Sequence, residues 1–229
     1  MKILALGAHP DDIEIFMYGL AFIYKKEGNE VYTMIATDGS KGGSTKGVLL
    51  SQKRKKEAIA GLEKLSKPIF LNITDGELGE EPKHRKLIKE NILKIMPDLI
   101  ITHSQNDYHS DHRSLSLLTS SAVSHYIPIL YCDTLMGVNF NPNFYFDITE
   151  YYSFKKDAIL KHKTQKPQRF VDLFKLMNSY RAAQCNAPKG NYAEAYAFEP
   201  SFPFSDIRDI LPSSLKLRPF HIDNKNGFL

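Results

Sequence analysis

The chain reads as an α/β protein, a three-layer sandwich on a mainly parallel sheet of strand order 3-2-1-4-5. Two observations predict this. Short apolar runs alternate with amphipathic stretches five times over the first 135 residues, the rhythm of right-handed crossovers covering a parallel sheet. The first run, Ile3 to Ala8, is apolar at consecutive positions, as a strand buried on both faces must be.

The elements follow in order. After Ile3 to Ala8, the turn His9-Pro10-Asp11-Asp12 leads into a helix over Ile13 to Glu27, with apolar residues at 13, 16, 17, 20, 23 and 24 and Gly28 as its stop. Val31 to Thr37 is the second strand, and Asp38 to Gly47 a loop holding four glycines. Leu50 to Leu65 is a charged amphipathic helix whose run Lys53-Arg54-Lys55-Lys56 reads mainly as a solvated face. Pro68 to Ile73 is the third strand, ended by Thr74-Asp75-Gly76. His84 to Met96 is a helix and Asp98 to Thr102 the fourth strand. A polar loop, His103 to Asp111, precedes a helix from His112 to about His125, and Ile127 to Cys132 is the fifth strand. After Tyr145 the rhythm changes to two helical stretches, about 150–162 and 168–184, and an edge strand near Tyr196. The expectation is a single domain over 1–229, with a core of 1–135 and a helical C-terminal extension of 136–229. The tail from Ser213, with Pro219 and Asn226-Gly227, reads as loosely held or as an arm to a neighbouring subunit of a homo-oligomer.

Composition narrows the function. The chain is 42% hydrophobic and 24% charged, which argues against long disorder. A net charge of +4 suits an anionic small molecule such as a phospho-sugar or nucleotide-sugar, whereas nucleic-acid binding needs a basic stripe that does not stand out. Cys132 and Cys185 have no spacing of a disulfide framework or a cysteine zinc site, and suit a reducing compartment. The first apolar run is too short for a secretory signal, and no window holds the roughly 20 apolar residues of a membrane helix. A soluble cytoplasmic protein is expected.

In an open parallel sheet the ligand sits beyond the carboxyl ends of the strands, where strand order reverses. The first and fourth strands flank that point, and their loops are where histidine and aspartate crowd: Ala8-His9-Pro10-Asp11-Asp12 and Asn106-Asp107-Tyr108-His109-Ser110-Asp111-His112. Catalytic zinc takes three nitrogen or oxygen ligands and keeps an open position. His9 and Asp12, three apart across a turn, and His112 from the neighbouring loop supply them. Asp11 then stands unligated beside the metal as the natural general base. Singly, each loop has a plain reading, His-Pro-Asp-Asp and Asp111 as helix N-caps; two such loops at one switch point favour a metal. The same ligand set suits Fe(II). Rival functions are a metal hydrolase of another bond, an Fe(II) oxygenase and a sugar- or nucleotide-binding protein without catalysis.

The sequence also resembles the LmbE-like or PIG-L deacetylases. The first family motif stands unaltered at Ala8 to Asp12, and the second appears as His109-Ser110-Asp111-His112, with serine where proline is usual. Thr37-Asp38-Gly39, Arg54 with Glu57 and Ala58, Asp75-Gly76 before Leu78, His162 with Gln165, and Tyr192 to Ala195 add weaker matches. The resemblance implies a Rossmann-like fold, one Zn2+ ion and hydrolysis of the acetamide of an N-acetylglucosamine conjugate. It implies His9, Asp12 and His112 as ligands and Asp11 as base. His109, protonated, would polarise the carbonyl, and Asp111 would orient a histidine. Arg54 and Asp75 fall where the family contacts its sugar; their plain readings are a surface ion pair and an ordinary turn. The glutamate often found after the second strand is Ser40 or Lys41 here, which bears on the substrate rather than the chemistry. His103 is expected to line the pocket, and Tyr180, Tyr192 and Glu194 to close its mouth.

Overall fold

The computed structural model describes residues 1–43, 46–79, 81–123 and 125–215. Strands β1 (Lys2–Gly7), β2 (Glu30–Thr37), β3 (Ile69–Ile73), β4 (Leu99–Thr102) and β5 (Ile129–Cys132) are parallel neighbours in the expected order, and β6 (Phe144–Asp147) and β7 (Ala193–Phe198) extend the sheet antiparallel, giving β3-β2-β1-β4-β5-β7-β6. The helices are α1 (Tyr18–Lys26), α2 (Val48–Gly61), α3 (Pro82–Ile95), α4 (Ser110–Val123), α5 (Tyr152–Ile159) and α6 (Gln168–Gln184). No helix among the described residues is long and apolar enough to cross a membrane. The part of the tail that holds Pro219 and Asn226-Gly227 lies outside the described residues.

The pleat of β1 sorts its apolar side chains onto both faces. Ile3 and Ala5 join one buried cluster with Tyr18, Leu20 and Phe174, while Leu4 and Leu6 join another with Ile88, Ile92 and Leu115. That double burial is why the run shows no polar alternation. Because β1 pairs in parallel with β4, Ile3 opposite Leu99 and Ala5 opposite Ile101, the loops that leave both strands emerge at the same edge of the sheet.

Two elements differ from the sequence expectation. The strand near Tyr196 is interior, with β6 taking the edge; only Phe146 of the four β6 residues is fully buried, so the segment carries little periodic signal. The first helix is split: Ile13–Met17 forms a wider π-helical turn before α1 begins. Its junction with α1 is tied to the far end of the chain. Glu194, on β7, accepts the Gly19 and Leu20 N–H groups at 2.9 Å each, the Lys155 ammonium at 2.7 Å and the Tyr196 hydroxyl at 2.7 Å. Lys155 is fully buried, so this carboxylate is its only counter-charge among the described ion pairs. Glu194→Ala strands that ammonium and frees two helix N–H groups, and is expected to cost about 3–5 kcal/mol. Urea unfolding of the variant measures the loss; an unchanged midpoint would contradict the role given to Glu194.

Candidate metal centre

The loop after β1 is shaped by its own residues. Pro10 offers no N–H, Asp11 holds a φ of 138°, a conformation L-residues seldom adopt, and the Ile15 N–H bonds back to the Asp11 carbonyl at 3.0 Å. The result aims His9 and Asp12 at one point. From the loop after β4, the first turn of α4 brings His112 to the same point. His9 Nδ1 and Asp12 Oδ2 are 3.2 Å apart, and His112 Nε2 lies 3.3 Å from each of them. Donors on a tetrahedral zinc at about 2.0–2.1 Å stand about 3.3–3.4 Å from one another. This triangle of two imidazole nitrogens and one carboxylate oxygen therefore fits a single divalent cation. Overlapping groups of donors surround it: His9, His109 and His112; Asp12, His103 and His112; His9, Asp75 and Asp111.

The outer nitrogens of the two rings are held by carboxylates. His9 Nε2 lies 3.1 Å from Asp111 Oδ2 and 3.4 Å from Asp75 Oδ1, and Asp111 Oδ2 also accepts the Gly76 N–H at 2.8 Å. His112 Nδ1 lies 3.1 Å from Asp107 Oδ2, while Asp107 Oδ1 accepts the His109 N–H at 2.9 Å. An N–H pinned outward leaves the inner nitrogen's lone pair facing the shared point. Burial disfavours charge on both rings, but Asp12 and these outer carboxylates outweigh it. They raise His112 to about 9 and His9 well above its ordinary value.

The two adjacent aspartates are driven apart. Asp11 is pushed up by burial and by the charge of Asp12, with Arg54 pulling back. Asp12 is held well below the usual carboxylate range, because His112, His103 and His9 outweigh its burial. The result is a firmly ionised carboxylate at the donor triangle and a proton-accepting one beside it. Arg54, 3% exposed, donates to Asp11 Oδ1 at 3.0 Å, to the Pro10 carbonyl at 2.9 Å and to the Gly39 carbonyl at 3.2 Å. Its guanidinium is thus committed to the β1 loop and the glycine-rich loop. Gly39 (φ 65°) makes that contact possible, since a Cβ there would lie 2.9 Å from Arg54 Nη1.

His109 accepts the Asp111 N–H on Nδ1 at 3.2 Å, which leaves Nε2 as its N–H. Burial, then the charges on His9 and His112, lower its pKa. His103 is fully buried, 3.1 Å from Asp12 Oδ2 and stacked on His112 at 3.7 Å between centroids; it backs the donors and does not line the cavity.

A cavity of about 200 Å³ opens over these groups, and its lining includes Asp11, Asp75 and His109 together with the apolar Phe16, Leu135 and Phe170. The sequence profile of PIG-L, described as GlcNAc-PI de-N-acetylase, matches residues 4–123, just over half of the chain. The chain belongs to the PIG-L family. A diacetylchitobiose deacetylase of Thermococcus kodakarensis is 28% identical over 225 residues, covering 87% of this chain and 83% of that protein. Among solved structures, the N,N'-diacetylchitobiose deacetylase of Pyrococcus horikoshii has a TM-score of 0.77 at 23% identity, over 87% of this chain and 84% of that one. GalB, the 4-carboxy-2-hydroxymuconate hydratase of Pseudomonas putida KT2440, has a TM-score of 0.75 at 19% identity, over 85% and 94%. The fold is therefore shared by a deacetylase and by a hydratase, and side chains rather than topology must decide the reaction.

The structure brings His9, Asp11, Asp12, Arg54, Asp75, His109, Asp111 and His112 together. It does not bring Tyr180, Tyr192 or Glu194 to the mouth: Tyr192 stacks on Tyr152 at 3.8 Å, Tyr180 lines a different cavity beside Arg181, and Glu194 is buried against Lys155. Sequence reasoning missed Asp107, Leu135, Arg169 and Phe170, and gave Gln165 no role. Asp107 carried a signal, an acidic residue five before His112 in the same polar loop. The others come from segments remote in sequence.

Asp75 links the site to acid stability. Burial would raise it, but His9, the Lys41 N–H and Arg54 draw it down to about 2. A depressed carboxylate contributes stability that is full above its unfolded value, 3.8, and is lost as pH falls through about 2. Asp75→Asn should flatten the pH dependence of the unfolding free energy within that window and leave its slope above pH 5 unchanged. Denaturant titrations at a series of pH values check this.

Proposed function

We propose that this chain is a zinc-dependent deacetylase that hydrolyses the N-acetyl group of an N-acetylglucosamine-type amino-sugar derivative, releasing acetate and the free amine. One observation carries the reading: two imidazoles and one ionised carboxylate form a donor triangle of 3.2–3.3 Å sides, with a second, raised aspartate unligated beside it. A binding protein has no use for a buried carboxylate kept ready to take a proton.

His9, Asp12 and His112 would hold the ion, which supplies Lewis acidity toward the acetamide carbonyl and the attacking water. Fe(II) suits the same donors. Asp11 accepts the proton of that water at Oδ2, because Oδ1 is engaged by Arg54. His109 donates its Nε2–H to the carbonyl oxygen as negative charge develops there. The C–N bond then breaks as the proton gathered by Asp11 passes to the nitrogen, which leaves as the amine; acetate keeps the water's oxygen. Asp111 steadies His9 through its outer nitrogen. Asp75 accepts hydrogen bonds from sugar hydroxyls, and Arg54 supports that wall by fixing Asp11. Two free cysteines, Cys132 buried and Cys185 half-buried, fit a reducing cytoplasm.

Asp11→Asn is expected to retain stoichiometric zinc and lose turnover by about 10²–10⁴-fold, the contribution of a positioned general base. Free-amine release and elemental analysis on one preparation read both. Wild-type turnover in that variant would remove Asp11 from the chemistry. His112→Ala is expected to purify without the ion and to be inactive. Full zinc occupancy in His112→Ala would sink the ligand assignment.

A further inference from the structure

The cavity over the metal donors is small. At about 200 Å³ it falls below the roughly 300–1,000 Å³ of pockets that enclose drug-sized ligands. On the deacetylase reading it is filled by the ring that carries the acetamide, and the remainder of a larger substrate lies at the mouth.

Arg169 brings a positive charge to the cavity wall. Between Asp157 and Asp172 the chain has no carboxylate but carries Lys161, Lys163, Lys166 and Arg169. Lys161 and Lys163 turn toward a separate cleft shared with Glu63 and Asp157. Glu57 accepts the Thr164 N–H and hydroxyl, contacts that anchor the turn Lys163–Gln165, and Glu14 lies 2.8 Å from the His162 ring. That turn is also fixed to the glycine-rich loop, since Gln165 donates to the Gly42 carbonyl at 2.6 Å. Arg169, in the first turn of α6, therefore stands on a well-held support and lines the cavity. Its guanidinium lies 4.5 Å from the Phe170 ring centroid and makes no ion pair or side-chain hydrogen bond among the described residues. Arg54, the other guanidinium in the cavity wall, has Nη1 and Nη2 engaged by the Gly39 and Pro10 carbonyls and by Asp11. A planar donor fork, restrained on an aromatic face and without a counter-ion, is built to meet an anion.

We propose that Arg169 is an anion subsite at the mouth, selecting amino-sugar derivatives that carry a phosphate or carboxylate on the part of the substrate outside the cavity. This rests on the deacetylase reading of the same site. Phe170 and the exposed Tyr108 also line the cavity and offer aromatic faces to the sugar.

The test compares the zinc-loaded full chain with three probes: the methyl glycoside of N-acetylglucosamine, its 1-phosphate, and a carboxymethyl glycoside. The anionic probes are expected to exceed the neutral one in kcat/KM by about tenfold or more, chiefly through KM, with the phosphate and carboxylate arms ranking the two anions. Arg169→Gln should bring the anionic-to-neutral ratio near one, and Arg169→Glu should invert it. A ratio in Arg169→Glu equal to wild type overturns the subsite. Calorimetric binding of glucosamine 1-phosphate against methyl glucosaminide gives a second readout without turnover. Amine released equally from neutral and charged probes overturns the subsite and leaves the deacetylase reading intact. No amine from any probe, with an Arg169-dependent preference for the phosphate in calorimetry, overturns the deacetylase reading and keeps the subsite.

Discussion

The site turns on one oxygen atom. Asp12 Oδ2 lies within 3.1–3.3 Å of His9, His103 and His112, rings drawn from both loops at the carboxyl edge of the sheet. An ionised carboxylate at 4% exposure is stable only when its charge is answered at close range. Protons on the imidazoles or one divalent ion both do so. The outer carboxylates, Asp111 and Asp75 on His9 and Asp107 on His112, bias each ring toward presenting its inner nitrogen. The centre is thus prepared by alternating layers of charge, and the π-helical turn and strained Asp11 backbone are where the chain bends to build it.

Asp11 shows how neighbours of one residue type acquire opposite tendencies. It sits one residue from Asp12 and shares its burial, yet faces Arg54 rather than the imidazoles. Two adjacent carboxylates cannot both be cheaply ionised in a buried site, so the one with three histidines takes the charge and the other is raised. Arg54 limits that rise and keeps Asp11 able to hold and release a proton. It also joins Gly39 to the β1 loop, so the glycine-rich loop is mechanically part of the base.

What was legible in the sequence was what is local. The strand–helix rhythm follows from periodicity, and the parallel sheet from that rhythm. The two His/Asp loops were legible because donor residue types fall directly after β1 and β4, and parallel pairing carries such loops to one edge. What was hidden depends on long-range packing or on weak periodicity. Phe144–Asp147 is a strand because β7 is there to pair with it. Glu194 resembled a mouth residue in a family pattern, but its neighbours Lys155 and Gly19 make it a buried tie between α5, α1 and β7. His103 looked like a pocket residue at a strand end; stacking on His112 places it behind the donors.

The likeness to both a deacetylase and a hydratase separates two layers of design. The groups suited to reaction come from the ends of β1 and β4, in the part of the chain where parallel strands hold positions rigidly. The groups suited to selection come from the turn after α5 and the start of α6, held by Glu57 of α2, by Gly42 of the glycine-rich loop and by the packing of Phe174. A bond-breaking centre needs donors fixed to a few tenths of an ångström, which strands provide. A selecting rim needs charge and shape at looser tolerance, which helix ends provide. Substitutions on the second set can change what is admitted without disturbing the first, because the two sets sit on separate supports.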